Sequence, residues 1–412
     1  MKILLLGEYS NVHNTLAKGL RELGHEVTVA SNGDFWKDYP RDQDLARRPG
    51  KLGGLSLMAR VACRLPQWRG YDVVQLINPM FLELKAERIL PVYRYLRRHN
   101  RNMVLCAMGL DWYWVHECVM RKPLRYSDFN IGDEVRTDPI AQRDIEDWIG
   151  TPTADGGWTG TPKGRLTQLI AHDCDAIVTG LYEYDVCYRP HFPEKTQFIP
   201  LPIHPTGPTN SSPSSLAPGP SPIGEGSICP ANGEVTTPLS NRRGAGGEAG
   251  PGRPEPLSLF IGISRGRSVY KGTDVMLRAA EDVQREHPDR LKVVKAEGLP
   301  FDEYQRLMDN SDVIMDQLYA YTPAMNALLA MSKGIVVMGG GEPENYAILG
   351  ERELRPIINV QPTYESVRHE LEQLMAHADR LPQLKADSRE YVRRHHDYLK
   401  VARQYEQLYR RL

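Results

Sequence analysis

The sequence predicts an α/β protein of two domains, each a parallel sheet with helices packed on it. Three observations carry this expectation. Residues 2–30 read as strand, polar loop, amphipathic helix, strand. Residues 311–346, SDVIMDQLYAYTPAMNALLAMSKGIVVMGGGEPENY, read as strand, loop, helix, strand and glycine-rich loop. Between the halves, residues 205–256 hold eleven prolines and ten glycines and no aromatic residue. Such a stretch buries too little apolar surface to offset the entropy of ordering it. The expected division is a first domain at 1–204, a disordered linker or insertion at 205–256, a second domain at 257–397 and a terminal helix at 398–412.

In chain order, residues 2–7 (KILLLG) form a buried strand by their continuous apolar run. A polar loop at 8–14 leads to a helix over 15–23, with Leu16, Leu20 and Leu23 on one face. Gly24 ends that helix and 25–30 (HEVTVA) is the second strand. Further strands are expected at 72–76 and 102–108, with a basic-faced helix at 86–98 between them. Residues 127–162 read as irregular. A helix at 166–172, a strand at 176–178 and a helix at 182–188 follow, and 197–202 closes the first half. The second half opens with a strand at 257–262 and a helix at 272–280. A strand at 291–296 and a helix at 301–308 come next. In the stretch 311–346, Thr322 caps a helix whose first turn holds Pro323. Gly334 stops that helix and 335–338 is a buried strand. A strand at 355–360 and helices at 364–377 and 381–412 complete the chain.

Composition excludes several classes. Lysine plus arginine (51) balances aspartate plus glutamate (52), so no strongly basic nucleic-acid binder is expected. No window approaches a membrane span, and the short apolar start is not a signal peptide. The expected location is cytoplasmic, with peripheral contact at the inner face of a membrane left open. The six cysteines (Cys63, Cys106, Cys118, Cys174, Cys187 and Cys229) show no metal spacing and suit reduced thiols. The first loop lacks G-x-G-x-x-G, which disfavours a nicotinamide cofactor. No G-x-S-x-G or cysteine–histidine signature is present. No cofactor and no metal are expected.

Several segments resemble GT-B glycosyltransferases, above all the large retaining bacterial family. These are L-G-H-E-V-T-V at 23–29, residues 197–202 (QFIPLP), I-S-R-G-R-S-V-Y-K-G-T-D at 263–274, and L-L-A-M-S-K-G-I-V-V-M at 328–338. The resemblance implies two Rossmann-like domains facing each other across a cleft, with the last helix crossing back to the first domain. It implies transfer of a hexosyl group, with retention, from a nucleotide-diphosphate sugar to a saccharide or lipid-linked acceptor in polysaccharide or glycoconjugate synthesis. Arg265 or Arg267, with Lys271, inherit the diphosphate contacts. Cations before a helix N-terminus suit the charge that develops on that leaving group. The backbone N–H groups of Gly340 and Gly341, with Glu342 or Glu344, are expected on the donor. Asp111, Ser10, Asn11 and His13 are expected to face the transferred sugar or the acceptor. Asp111, His13 and Glu342 are thus the catalytic candidates. Two departures are plain. The family's paired glutamates fall on Tyr321 and Leu329, with Thr322, Asn326 and Glu342 as possible substitutes, and the family's histidine before G-x-D is Met108. For the first loop the alternative is that Ser10 or Asn14 merely caps the helix, and for Asp111 that it caps the helix that follows. For the whole chain the alternatives are a nucleotide-sugar 2-epimerase or a non-catalytic nucleotide-sugar binder.

Overall fold

The computed structural model describes residues 1–204, 255–264 and 266–412. Nearly all of the Pro/Gly-rich stretch, and Arg265, therefore lie outside the described residues. The first sheet contains β1 (Lys2–Leu6), β2 (Glu26–Ser31), β3 (Gln43–Asp44), β4 (Val73–Leu76) and β5 (Asn102–Ala107). A separate antiparallel hairpin pairs β6 (Asn130–Ile131) with β7 (Glu134–Val135). The first sheet is completed by β8 (Ala176–Thr179) and β9 (Thr196–Phe198), in the order β3-β2-β1-β4-β5-β8-β9. The second sheet contains β10 (Leu257–Ile263), β11 (Leu291–Glu297), β12 (Val313–Met315), β13 (Val336–Gly339) and β14 (Ile358–Asn359), ordered β11-β10-β12-β13-β14. Every pair within these two sheets is parallel.

Helices cover both faces of each sheet, which is why the central strands are buried and largely apolar on both sides, with Gln75 in β4 as a buried polar exception. On one face Ile3 and Leu5 meet α1 (Val12–Glu22). On the other, Leu4 and Leu6 share a core with α2 (Gly53–Arg64) and α3 (Ala86–His99). Next along the chain come α4 (Trp112–Met120), α5 (Pro139–Trp148), α6 (Pro162–Asp173) and α7 (Tyr182–Tyr188). The stretch 127–162, expected to be irregular, holds the β6–β7 hairpin and α5. Asp138 caps α5 by accepting from Ala141 N at 3.1 Å, and Pro139 starts it.

In the second half, one-turn α8 (Ser268–Lys271) precedes α9 (Thr273–Glu286). The helices α10 (Phe301–Asp309), α11 (Met325–Lys333), α12 (Pro343–Leu349), α13 (Tyr364–Ala376), α14 (Leu381–His395) and α15 (Tyr398–Arg411) follow. The second sheet has α9 and α13 on one face and α11 and α14 on the other. Helix α15 packs on α1 of the first half. A Cβ on Gly19 would lie 2.7 Å from Ala402 Cβ, so only glycine admits this approach. Residues 201–203 run beside 396–398, tied by Ile203 N to His396 O at 2.7 Å and Tyr398 N to Ile203 O at 3.1 Å.

Candidate functional site

The carboxyl ends of both parallel sheets meet, and the candidate residues lie on the loops there. The first loop begins at Gly7, whose φ of +83° and closeness to Ile77 exclude any side chain. Glu8 follows and is buried. Its carboxylate accepts from His13 N at 3.1 Å and Asn14 N at 2.8 Å, serving the first turn of α1 where no side-chain cap is present. Burial pushes Glu8 up to about 8, against these two amide bonds, so its carboxyl carries a proton near neutral pH. Ser10 and Asn11 both adopt left-handed backbone. Ser10 N donates to Asp34 Oδ2 at 2.8 Å, and Lys37 Nζ reaches Asp34 Oδ2 at 2.6 Å and Ser10 Oγ at 3.2 Å. Asn11 Oδ1 accepts from Asn14 Nδ2 at 2.7 Å.

Two catalytic candidates are corrected by their placement. The His13 side chain is fully buried, with Nδ1 on Gly7 O at 2.8 Å and Nε2 on Gln75 Nε2 at 3.1 Å. Gln75 in turn accepts from Tyr409 Oη at 2.6 Å, so the ring ties β1 and β4 to α15 instead of facing a ligand. Desolvation lowers His13 to about 4 and keeps it neutral. Asp111 is also fully buried. Its carboxylate caps α4 through Trp114 N at 2.9 Å and accepts from Tyr188 Oη at 2.6 Å. Burial raises it to about 6 against those bonds. The capping alternative holds here.

The glycine-rich stretch also has internal partners. Glu342 receives Arg125 Nη2 at 2.6 Å, Gln361 Nε2 at 2.7 Å, Asn359 Nδ2 at 3.0 Å and the Tyr126 hydroxyl. Burial opposes its charge, but these donors outweigh it and leave the carboxyl below its ordinary value. Glu344 pairs with Arg125 Nη1 at 2.6 Å. Gly341 N donates to Asn359 Oδ1 at 2.9 Å. Gly340 packs so closely that a Cβ would lie 2.3 Å from Ala320 O. Thr322 does not cap α11, whose N-cap is Ala324. Its hydroxyl donates to Glu183 Oε2 at 2.7 Å, while Tyr321 N and Thr322 N donate to Glu183 Oε1 at 2.8 and 3.0 Å. Arg125, Tyr126 and Glu183 come from the first half, so Thr322, Glu342 and Glu344 form a latch between the halves, while Gly341 N is tied within the second half. This corrects the expectation that Glu342 and the Gly341 N–H stand open to a donor.

The loop after β10 is different. Lys271 is half-buried, and desolvation lowers its ammonium below the ordinary lysine value, with Arg267 and Lys37 adding to the effect. Asp316 and Asp128 oppose the shift, but among the described residues no carboxylate lies within ion-pair distance of Lys271. Arg267 is exposed, with its guanidinium 5.3 Å from the centre of the Tyr270 ring. Asn326 donates to Tyr304 Oη at 3.1 Å and helps to hold the charge of Asp316. Burial pushes both Asp128 and Asp316 up, against these cations. From the first half, Arg136 donates to Val269 O at 2.8 Å and Tyr270 O at 2.9 Å. Arg267, Lys271, Asn326 and, through Lys37, Ser10 are therefore brought into one polar cleft.

Sequence reasoning missed Glu8, Lys37, Asp128, Glu183 and Asp316. Asp316 directly follows β12 and Glu8 lies two residues past β1, so both were reachable by the rule that singled out Asp111. No group of three histidine, cysteine, aspartate or glutamate side chains among the described residues is placed to hold a metal ion. A cavity of about 520 Å³ lined by Trp112, Arg165, His172 and His191 opens elsewhere, and none of the cleft groups lines it.

Neither a family model nor a curated protein matches the chain. Solved structures do. HepE of Anabaena, crystallised with UDP and glucose, has a TM-score of 0.55 at 11% identity, with 100% of both chains covered. Sucrose-phosphate synthase of Thermosynechococcus elongatus has a TM-score of 0.56 at 12% identity, covering 100% of this chain and 99% of that one. A putative UDP-N-acetylglucosamine 2-epimerase of Listeria monocytogenes has a TM-score of 0.51 at 10% identity, covering 98% and 95%. At this identity the likeness concerns the fold: two Rossmann-like domains facing each other across a cleft, the GT-B arrangement.

Proposed function

We propose that the chain is a glycosyltransferase that moves a hexosyl group from a nucleoside-diphosphate sugar to a saccharide or lipid-linked acceptor, using no resident cofactor or metal. Lys271 carries this reading. A cation two residues before the N-terminus of fourteen-residue α9 works against that helix's dipole. It is also partly desolvated and has no carboxylate at ion-pair distance among the described residues. A diphosphate would offset all three costs at once, with Arg267 as the second cation. Negative charge grows on that leaving group as the glycosyl bond breaks, so the two cations would favour the transition state over the bound donor. Support from HepE is by analogy, since that structure holds UDP and glucose. Retention of configuration and a role in polysaccharide synthesis rest on the sequence resemblance.

A non-catalytic nucleotide-sugar binder is the second reading. It is favoured by the internal satisfaction of His13, Asp111 and Glu342, which leaves cations but few free acids at the site. The test is a thermal-shift screen of UDP, GDP, ADP, CMP and TDP without added metal. One diphosphate should stabilise the protein, by about 2.7 kcal/mol at a hundredfold excess over Kd. No shift with any of them contradicts both readings. Incubation with the matching nucleotide sugar and mixed acceptors then separates the cases. Released diphosphate with a new glycoside marks a transferase, a 2-epimer marks an epimerase, and unchanged donor marks a binder.

A further inference from the structure

Residues 45–71 carry six cations (Arg47, Arg48, Lys51, Arg60, Arg64 and Arg69) and no acidic residue. Helix α2 lies within this stretch. Its inner residues Leu57 and Val61 pack into the core with Leu6 and Ile89. The opposite face of an ordinary surface helix is polar. Here the outward positions 52, 55, 59 and 62 are leucine, leucine, alanine and alanine, all exposed. Leu52 is 72% and Leu55 54% exposed, an apolar stripe with nothing covering it.

Exposed Arg47, Arg48 and Lys51 surround the start of that stripe. Lys85 and Arg88, at the start of α3, are exposed as well. A Cβ on Gly54 would lie 3.9 Å from both Arg47 Nε and Arg88 Nη1, which places the two basic groups together. The acids nearby are Asp44, engaged by Arg41 and Arg60, Glu83, which accepts from Arg47 N, and Glu87. We propose that this face docks on an anionic membrane surface, with Leu52 and Leu55 entering the lipid and Arg47, Arg48, Lys51, Lys85 and Arg88 on the headgroups.

Exposed leucines ringed by cations match the layering of a bilayer surface, apolar beneath and anionic above. Nucleic acid fits less well: the stretch offers no exposed aromatic ring to stack on bases, since Trp68 is buried. A second copy of the same face would bring like charges together. Because α2 and α3 run back from the carboxyl end of the sheet, their first turns lie at the end that carries Glu8 and Ser10. Docking there would set the cleft beside the lipid, which favours a lipid-linked acceptor over a free saccharide. That last clause rests on the glycosyltransferase reading, whereas docking itself is measured without nucleotide.

The test is co-sedimentation of the full chain with vesicles of phosphatidylcholine alone and with roughly one third phosphatidylglycerol, at about 0.05 M and about 0.5 M salt. Binding to the anionic vesicles, reduced by salt, is expected. Leu52→Glu with Leu55→Glu should weaken it at least about tenfold. Arg47→Ala with Arg48→Ala and Lys51→Ala should weaken it roughly fivefold per cation. These side chains are exposed, so both variants should melt as the parent does. Equal binding to neutral vesicles, or full binding by the leucine variant, would overturn the proposal. So would tighter capture by single-stranded RNA or an acidic polypeptide than by the anionic vesicles.

Discussion

Asp111 and Lys271 both lie beyond a strand's carboxyl end and just before a longer helix, Asp111 as the cap of α4 and Lys271 as the last residue of one-turn α8, two before α9. Asp111 is fully buried and saturated by Trp114 N and Tyr188 Oη. Lys271 is desolvated and has no carboxylate at ion-pair distance among the described residues. The difference follows from the helix end itself. A helix start offers orphan N–H donors, which a short carboxylate satisfies without help from any ligand. The start of α9 disfavours a cation, and one-turn α8, which Lys271 closes, is too short to offset this in full. Position at a strand end therefore does not by itself separate an acid that caps a helix from one that faces a ligand.

Four substitutions break or sharpen that contrast. The largest effect is expected for His13→Ala. It empties a fully buried site and strands Gln75, costing about 3 kcal/mol in urea unfolding, with nucleotide affinity unchanged. Asp111→Ala removes a cap and leaves the Tyr188 hydroxyl unpaired, a loss of about 2 kcal/mol measured the same way. Weakened nucleotide binding in either folded variant would restore the ligand-facing role that its burial argues against.

Glu8→Gln should act through pH. Glu8 is raised in the folded state from 4.5 to about 8, so the native protein holds a proton that the unfolded chain has lost. Its contribution is full below 4.5 and falls as pH rises through about 8, by about 1.4 kcal/mol per pH unit. His13 and His396, both lowered from 6.5 to about 4, act oppositely and only below 6.5. Between 6.5 and 8 the glutamine variant should therefore lose the downward slope of the parent. An unchanged slope would mean that the two amide bonds hold Glu8 ionised. Arg125→Ala has the smallest expected effect on stability, about 1 kcal/mol or less, because its side chain is 55% exposed. It should nevertheless loosen the latch to Glu342 and Glu344, seen as a larger radius of gyration in small-angle scattering. An unchanged radius would show that the Glu183 contacts to Tyr321 and Thr322 suffice.

Much of the fold was legible because apolar runs and glycine stops are local. The β1–α1–β2 opening and the β12–α11–β13 unit were readable from periodicity. Helix α5 was missed although T-D-P announces its cap and first turn, because its surroundings are rich in glycine and polar residues. Helix α2 was missed because its outward face is apolar, which blurs the amphipathic signal. The site was less legible. Lys271 and Arg267 stand out through the K-G-T-D context. The latch joins Arg125 to Glu342 and Glu183 to Thr322 across more than a hundred residues of chain, and no spacing rule reaches that far. The expected linker role of 205–256 falls, but for its last two residues, outside the described residues.

The central claim is that the cleft holds a nucleoside diphosphate on Lys271 and Arg267. Its most direct test is calorimetric titration of the diphosphate found by the screen into the parent, Lys271→Ala and Asp111→Ala. Lys271→Ala should lose about 1.5–3 kcal/mol of binding, a charge-assisted contact's worth, with Asp111→Ala binding as the parent does. Equal affinity in the parent and Lys271→Ala, or an equal loss in both variants, would contradict the account.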